Sequence, residues 1–374
     1  MFTKSLTHRA ALRVAILDSI VKWGGGEKWC VDAARSLCGR GHHAVIACGR
    51  GTPLEARARE AGIETWSAPL SVGRGLISAF RLGKYLKHER IEAVIGNVGR
   101  DLWIGAIACR CSGAKIIQRR GLVRPVKQGL LSRWIYTRVV ARVIVNSLAI
   151  RDCMLKSVDF LDPSLFVLIP NGIDTRTGFP GDRSRLRSEL GLPPGAPVAG
   201  AIGRLAKMKG HSDLLRAWPQ VLSRVPDARL LVVGEGEEER GLKNLALQLG
   251  IEKSILFLGF RRDVPDLLSA MDLLVMPSVR DEGCSNTLLE SMWQGRPAVV
   301  TDCGGLPGVV THGELGLVVP IHDPDSMAAA IGRLLASSSD RERMGQAARC
   351  VIEQRYSLDK ATDLLEKTLL SLRG

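Results

Sequence analysis

The chain has 374 residues, of which 45% are hydrophobic and 40 are glycine, enough for two α/β domains that each bury a core. No apolar run reaches the roughly 18 residues of a membrane span, which argues against a membrane-spanning chain. The nine cysteines lack both C-x-x-C and Cys/His metal spacing, which argues against a disulfide or zinc framework. The net charge of +14 lies wholly in residues 1–175, which hold 27 Lys and Arg against 13 Asp and Glu.

This charge asymmetry predicts an anionic partner for the first half of the chain. A membrane surface, a phosphorylated acceptor and nucleic acid would each fit it. The scattered cysteines are typical of buried small side chains in a reducing cytoplasm. We therefore expect a cytoplasmic protein that can also lie peripherally on the inner face of a membrane.

The first half begins with a strand at residues 12–17, the triplet Gly24 to Gly26, a helix at 27–40 and a strand at 44–48. This order predicts a parallel doubly wound sheet. The glycines let the backbone approach a ligand closely, although a tight turn explains them equally well, and the loop lacks the G-x-G-x-x-G spacing of a dinucleotide site. Further predicted elements are helices at 54–61, 76–88 and 102–111, and strands at 93–96, 115–118, 142–146 and 165–169.

Two features of this half indicate contact with anions. Arg119 and Arg120 end a predicted strand, and ligands of doubly wound sheets bind beyond the carboxyl ends of strands, so both are candidate contacts of an acceptor phosphate. Residues 127–142 form a basic segment in which Trp134 and Tyr136 lie among apolar residues. As a helix it could lie on an anionic bilayer, or pack on its own sheet with a solvated basic face.

In the second half, Arg204 and Lys209 bracket a loop between a strand at 198–202 and a helix at 212–222. Two cations there would neutralise a diphosphate and stabilise it as a leaving group, although they could also be solvated loop residues. Phe260 and Arg261 follow a later strand at 255–258. Asp323 and Asp325 could form a metal-binding pair, but Asp325 directly precedes a helix and is expected to cap it.

Residues 278–308 carry the strongest pattern. A strand at 273–276 leads through a loop to a helix at 286–294, for which Ser285 is a good N-cap. The first-turn N–H groups form an anion site, and the carboxylates of Glu282 and Glu290 can accept hydrogen bonds from sugar hydroxyls. A nucleotide-sugar needs this combination, although an ordinary strand–loop–helix unit with a solvated Glu290 fits as well.

With seven residues between them, Glu282 and Glu290 resemble the E-x7-E motif of retaining GT-B glycosyltransferases, the group of glycogen and sucrose synthases and lipopolysaccharide-core transferases. The segments GRLAKMKG at 203–210, NGID at 171–174 and PAVVTDCGG at 297–305 resemble further elements of that family. The resemblance implies an α/β, GT-B fold of two Rossmann-like doubly wound domains with an interdomain cleft. It also implies retaining transfer of a sugar from a nucleotide diphosphate-sugar, without a cofactor or metal.

The resemblance also implies a site. Arg204, Lys209 and Glu282 are the catalytic residues that it implies. The implied donor-binding set is Gly25, Arg204, Lys209, Phe260, Arg261, Glu282, Cys284, Ser285, Asn286, Thr287 and Glu290. The acceptor-binding set is Gly24, Arg119 and Arg120. The acceptor would be a glycan or lipid-linked glycan, as in bacterial cell-surface polysaccharide or lipopolysaccharide biosynthesis.

We expect an acceptor-binding domain at 1–175, a nucleotide-sugar-binding domain at 176–356 and a last helix at 357–374 that returns to the first domain. Three departures from the family leave the donor and acceptor open. Relatives often place a histidine near Arg119, Phe-Gly where this chain has Cys284 and Ser285, and a glutamate where it has Gly308.

Two other functions fit parts of the sequence. An enzyme of the same fold that epimerises or hydrolyses a nucleotide-sugar would release product without an acceptor. A nucleic-acid-binding protein would explain the basic first half, but no known nucleic-acid motif and no basic stripe with interleaved aromatic residues supports it. We therefore expect no nucleic-acid partner.

Overall fold

The computed structural model describes residues 11–70, 75–176 and 181–373. Residues 177–180, which lie just after the predicted domain limit at residue 175, therefore lie outside the described residues. Two parallel sheets organise the described chain, one in each half. They fall on either side of the predicted domain limit at residue 175, and the limits themselves stay a prediction.

The N-terminal sheet has seven strands in the order β3-β2-β1-β4-β5-β6-β7. Its inner strands are almost continuously buried, as in β1, because helices cover both faces of a parallel sheet. Helices α1 and α2 lie on one face and α3, α4 and α6 on the other, each with its own core. The elements are β1 Arg13–Asp18, α1 Gly25–Gly39, β2 His43–Gly49, α2 Pro53–Glu60, β3 Glu64–Ala68, α3 Gly75–His88, β4 Ala93–Gly96, α4 Gly99–Ser112, β5 Lys115–Arg120, α5 Leu130–Trp134, β6 Val140–Val145, α6 Leu148–Ser157 and β7 Phe166–Leu168.

The C-terminal sheet has six strands in the order β10-β9-β8-β11-β12-β13. Helices again cover both faces, with Trp218 fully buried in one of the two cores. The elements are α7 Arg183–Glu189, β8 Val198–Ile202, α8 His211–Arg224, β9 Arg229–Val233, α9 Glu239–Gln248, β10 Ile255–Phe257, α10 Val264–Ala270, β11 Leu273–Met276, α11 Asn286–Trp293, β12 Ala298–Thr301, β13 Gly316–Val319, α12 Pro324–Ala336, α13 Ser338–Arg355 and α14 Leu358–Leu370.

Two chain segments that pass between the halves are hydrogen-bonded to each other. The Ile173 amide donates to the Tyr356 carbonyl at 3.0 Å, and the Leu358 amide donates to the Ile173 carbonyl at 2.7 Å. The following helix, α14, packs against the N-terminal half through Leu365 and Leu369. The last described helix therefore packs on the face of the N-terminal sheet that α1 covers.

Three local predictions were wrong. Strand β3 was missed because only its last residue is buried, so it shows little apolar signal. Residues 127–142 are not one helix: α5 continues into a π turn at Ile135–Val139, and β6 begins at Val140, where the β-branched run pairs with β5. Asp323, not Asp325, caps α12, with its carboxylate accepting from the Ser326 amide at 3.0 Å.

Candidate functional site

The carboxyl ends of strands from the two sheets face each other across a cleft. Asn146 directly follows β6, and Gly121 directly follows β5. A Cβ atom on Gly283, which belongs to the other half, would lie 2.4 Å from Asn146 Oδ1 and 2.5 Å from the Gly121 carbonyl oxygen. Only glycine allows this approach, which brings the loop before α11 against the N-terminal sheet.

A buried carboxylate is held by a lysine and a serine on the C-terminal side; we name Lys209, Ser278 and Glu282 the lysine cluster. Lys209 Nζ and Ser278 Oγ both donate to Glu282 Oε1, the latter at 2.7 Å. The turn that carries Lys209 lies directly against the end of β11: Gly210 has φ +64°, and a Cβ there would clash with the Pro277 carbonyl oxygen. The structure thus joins two of the predicted catalytic residues in one contact.

Arg204, the third predicted catalytic residue, lies in the loop after β8, the same loop that carries Lys209. Its guanidinium forms an ion pair with Glu237 at 2.9 Å, and both side chains are more than half exposed. An ion pair in solvent contributes little free energy, so an anionic ligand can displace Glu237 at small cost.

The start of α11 presents polar groups to the cleft. Ser285 Oγ accepts from the Leu288 amide at 3.4 Å, as expected of an N-cap. The amides of Asn286 and Thr287 lie in the first turn and have no helical carbonyl partner. The Asn286 side chain donates to the Gly25 carbonyl at 3.4 Å and accepts from Asn171 at 2.8 Å. The predicted Gly25 and Asn286 therefore meet across the cleft.

Glu290 lies one turn further along α11. Its Oε1 is 3.7 Å from Lys28 Nζ of α1, which also donates to Asp32 at 2.8 Å. Burial raises the pKa of the Glu290 carboxyl, and the nearby Lys28 ammonium opposes that rise. The contact places a cation of the N-terminal half beside the carboxylate that was predicted to bind hydroxyls.

The remaining predicted donor contacts are less uniform. Phe260 is half exposed, and its amide donates to Glu235 at 3.3 Å. Arg261 is engaged with Asp263, its Nε lying 2.8 Å from Oδ1. Cys284 is buried, and burial raises the pKa of its thiol to about 12. Its amide donates to Asn146 at 3.3 Å and its carbonyl accepts from Asn171 at 2.7 Å, so its backbone links the two halves of the chain.

Arg119, predicted as an acceptor-phosphate contact, is only 3% exposed and already engaged. Its guanidinium donates to Asn97 Oδ1 at 2.7 Å and to Asn171 Oδ1 at 2.9 Å, and lies 4.3 Å from the centre of the Trp29 ring. This geometry favours a positioning role over direct phosphate binding. The neighbouring Arg120 is half-buried and donates to the Arg124 carbonyl at 2.6 Å.

Sequence reasoning missed the polar residues around Arg119; we name Asp18, Asn97, Arg119 and Asn171 the arginine cluster. Asn97 donates to Asp18 Oδ2 at 2.6 Å, and Asn171 donates to the Cys284 carbonyl at 2.7 Å. Burial raises the pKa of Asp18. Asp18 ends β1 and Asn97 directly follows β4, so a search for polar residues at strand ends would have found both.

Gly24, the other predicted acceptor-side residue, caps α1. Its φ of −166° is an ordinary extended conformation, and a Cβ there would lie 3.1 Å from Glu27 Oε2. Burial, together with the Asp18 carboxylate, raises the pKa of Glu27 to about 7. The glycine loop therefore borders a buried carboxyl that the sequence analysis did not consider.

Two family models match the chain in succession. Residues 23–177 match Glycosyltransferase Family 4, and residues 182–351 match Glycosyl transferases group 1. A D-inositol 3-phosphate glycosyltransferase of Saccharomonospora viridis is 32% identical over 302 residues, which cover 74% of this chain and 67% of that protein.

Other curated relatives match over shorter lengths. The lipopolysaccharide core biosynthesis glycosyltransferase LpsE of Rhizobium meliloti is 34% identical over 185 residues, covering 50% of this chain. The chain spans about half the length of several of the curated relatives that it matches, 53% of LpsE and 51% of an N-acetyl-α-D-glucosaminyl L-malate synthase of Bacillus anthracis.

Solved structures share the fold. HepE of Anabaena, crystallised in complex with UDP, has a TM-score of 0.85 at 23% identity, covering 96% of this chain and 100% of HepE. Sucrose-phosphate synthase of Thermosynechococcus elongatus has a TM-score of 0.80 at 19% identity, covering 96% and 99%. Both confirm the predicted arrangement of two Rossmann-like α/β domains.

Proposed function

Because the chain belongs to the group 1 glycosyltransferases, we propose that it is a retaining enzyme that moves a sugar from a nucleotide diphosphate-sugar to a glycan or lipid-linked acceptor. The observation that carries this proposal is the lysine cluster beside the start of α11. Two loops together provide a cation, a carboxylate and unpaired helix amides, which matches the separate needs of a diphosphate and a sugar.

In the proposed donor complex, the diphosphate exchanges existing contacts for its own. Arg204 leaves the exposed Glu237, and Lys209 turns from Glu282 toward the phosphates. The amides of Ser285, Asn286 and Thr287 add hydrogen bonds at the helix start. Each donor stabilises charge that grows on the diphosphate as the glycosidic bond breaks, which lowers the barrier.

The carboxylates are proposed to orient the donor. Glu282, freed from Lys209, accepts hydrogen bonds from hydroxyls of the transferred sugar, and Glu290 accepts them from the ribose. Phe260 lies half exposed after β10 and is the proposed contact for the base, together with Arg261. The carboxylates would confer selectivity for hydroxylated rings, because a ligand that lacks the hydroxyl groups leaves a buried carboxylate without a hydrogen-bond donor.

We propose that the acceptor hydroxyl attacks from the face that the diphosphate leaves, so that the anomeric configuration is retained. The bond from the anomeric carbon to the phosphate oxygen breaks, the bond to the acceptor oxygen forms, and the acceptor proton passes to the leaving phosphate oxygen. This route needs no protein base, which suits a sequence without a histidine near Arg119. Positive charge comes from Arg204 and Lys209, so we expect no metal requirement.

The basic N-terminal half is proposed to bind the acceptor, a phosphorylated or lipid-linked glycan of a bacterial cell-surface polysaccharide or lipopolysaccharide, at the inner face of the membrane. LpsE, a relative, is named for lipopolysaccharide core biosynthesis. HepE was crystallised with UDP-glucose as well as UDP, which makes UDP-sugars the first donors to test.

The test is a thermal-shift series with UDP-, GDP-, ADP- and dTDP-sugars. A ligand at about 100 times its Kd stabilises the folded state by about 2.7 kcal/mol, so one nucleotide should raise the melting temperature clearly. The shift should disappear in Arg204→Ala and persist in Arg240→Ala, a substitution on the exposed surface of α9. No shift with any nucleotide-sugar would contradict the proposal, and sugar release without an acceptor would favour a hydrolase or epimerase.

A further inference from the structure

One short sequence occurs twice in the N-terminal half. Residues 75–80 read Gly-Leu-Ile-Ser-Ala-Phe, and residues 129–134 read Gly-Leu-Leu-Ser-Arg-Trp. Each copy forms the first turns of a helix, α3 in one case and α5 in the other. The two copies therefore place the same pattern of side chains at the starts of two separate helices.

The apolar side chains of both copies point to solvent. Positions two, three and six of the pattern lie within about 100° of arc on a helix, which gives one apolar face. All six side chains are between 51% and 88% exposed. They are Leu76, Ile77, Phe80, Leu130, Leu131 and Trp134. Clustered exposure of large apolar side chains on a globular domain marks an interaction surface.

The topology brings these side chains to one edge of the sheet. A helix that connects parallel strands begins at the carboxyl edge, and α3, α4 and the turn after α5 all contribute to the core on one face of the N-terminal sheet. Trp103 near the start of α4 and Leu122 in the loop after β5 are also exposed there. We name these eight residues the apolar rim: Leu76, Ile77, Phe80, Trp103, Leu122, Leu130, Leu131 and Trp134.

The charge of the surrounding chain is strongly positive. Residues 93–151 contain eleven Lys and Arg, of which Arg119 is buried, and a single acid, Asp101, which is buried as well. Arg124 and Arg133 form ion pairs with carboxylates elsewhere, and the exposed Lys127 lies between them in sequence. An apolar surface bordered by cations is complementary to an anionic lipid bilayer, which is apolar inside and negatively charged at its surface.

We propose that the apolar rim inserts into the interface of an anionic bilayer, with the neighbouring cations on lipid phosphates. Separate helix starts and a loop form the rim, as suits shallow insertion of several side chains. In the described ranges, every helix is too short or too polar to cross a bilayer. The apolar rim and the cleft both lie at the carboxyl edge of the N-terminal sheet, so binding of the rim to the bilayer would hold the cleft near lipid-linked acceptors. This last step rests on the proposed function.

The experiment is co-sedimentation of the full chain with vesicles of phosphatidylcholine alone or mixed equally with phosphatidylglycerol. Binding should require the anionic lipid and weaken with salt. The double variant Leu130→Gln/Trp134→Gln should bind about tenfold or more weakly, since both side chains lose their apolar insertion. Lys127→Gln should bind roughly fivefold more weakly, as expected for one cation at a membrane surface.

Matched controls lie on the C-terminal half. Leu247→Gln removes an apolar side chain that is 63% exposed on α9, and Lys253→Gln removes an exposed cation; both should bind vesicles as the parent chain does. Unchanged melting temperatures would show that the rim variants fold. Equal vesicle binding by the rim and control variants would overturn the proposal. So would a parent chain that does not bind vesicles but self-associates or binds nucleic acid through the rim.

The two proposals fail separately. Arg204→Ala should lose the nucleotide-sugar shift and keep vesicle binding. The rim variant should keep the nucleotide-sugar shift and lose vesicle binding. A protein that binds anionic vesicles through the rim without responding to any nucleotide-sugar would keep the docking surface and reject the donor site.

Discussion

The two polar clusters beside the cleft are built in opposite ways. In the lysine cluster a cation and a carboxylate meet at the cleft, with the Lys209 side chain still 28% exposed. In the arginine cluster the guanidinium of Arg119 is sealed between amide side chains and the Trp29 ring. A ligand can replace partners in the first cluster but must break a buried network in the second.

This difference in exposure indicates different roles: the lysine cluster is suited to bind a ligand, and the arginine cluster is suited to stabilise the structure around it. In the proposed donor complex, the lysine cluster loses one ion pair and gains new partners for both charges. The arginine cluster connects strand ends with the loop before α11, since Asn171 bonds both Arg119 and the Cys284 carbonyl. We therefore expect substitutions in the lysine cluster to change turnover, and substitutions in the arginine cluster to change stability first.

The largest expected effect is that of Lys209→Ala. It removes the cation proposed to stabilise the departing diphosphate and leaves Glu282 as a buried carboxylate without its ion-pair partner. We expect kcat to fall by about 10²- to 10³-fold, the scale of losing one preorganised charge-stabilising donor. Steady-state kinetics with the donor found by thermal shift would measure it.

The control is Lys207→Ala, in the same short turn but exposed. It should keep turnover within about twofold of the parent chain, because a surface cation away from the diphosphate contributes little. Equal losses in both variants would mean that the turn supplies a general positive field, and an active Lys209→Ala would remove the lysine cluster from the mechanism.

The second effect concerns Arg119→Met, which keeps much of the side-chain volume and removes the guanidinium. Asn97 and Asn171 each lose a hydrogen-bond donor in a buried site, and Asp18 loses its nearby cation. We expect the free energy of unfolding to fall by about 3 kcal/mol, as for other losses of a buried charged partner.

Urea denaturation would measure this change. Arg120→Met serves as the matched substitution at the adjacent position, where the guanidinium is partly exposed, and it should change stability by less than about 0.5 kcal/mol. If Arg119→Met is as stable as the parent but no longer transfers sugar, the direct acceptor contact predicted from the sequence would replace the positioning role.

The same contrast explains what the sequence could predict. Strand-then-glycine-then-helix order and continuous apolar runs were sufficient for the two parallel sheets, since these signals are local. Arg204, Lys209, Glu282 and Glu290 could be predicted as site residues because each lies in a short motif. The contact between Lys209 and Glu282 was not found, because 73 residues separate the partners and only the fold joins them.

The arginine cluster was harder to predict for a physical reason. Its members come from four different strand ends, and an isolated Asn or Asp after a strand resembles an ordinary turn residue. Arg119 was predicted as an acceptor-phosphate contact because it ends a strand, whereas the structure buries its guanidinium, which is possible once its donors are satisfied. Burial of this kind depends on long-range packing, which no local pattern reports.

A third, smaller effect is a pH dependence of stability that comes from Glu27, a carboxyl group near Asp18 of the arginine cluster. The pKa of Glu27 is raised from 4.5 to about 7 by burial and by the Asp18 carboxylate. Between these values the folded state keeps a proton that the unfolded chain has lost, so this group's contribution to stability falls as pH rises from about 4.5 to about 7. Above pH 7 the folded state holds a buried charge.

Glu27→Gln removes that charge while retaining the side-chain length. We expect the variant to be more stable than the parent by about 1 to 2 kcal/mol at pH 8, with the two converging below pH 5. Urea denaturation at several pH values would test this, with the exposed Glu60→Gln showing no such pH-dependent difference. A parent that stays more stable than Glu27→Gln at pH 8 would mean that the carboxylate's backbone hydrogen bonds outweigh its burial.

The smallest expected effect is that of removing divalent cations. If Arg204, Lys209 and the first-turn amides of α11 supply the positive charge for the departing diphosphate, EDTA should leave turnover unchanged, and added Mg²⁺ should not restore Lys209→Ala. Activity that disappears in EDTA and returns with Mg²⁺ would show that the lysine cluster is insufficient alone. The functional difference between the two clusters would then be smaller than their geometry indicates. The lysine cluster, like the arginine cluster, would serve mainly to position residues around a donor whose charge a metal neutralises.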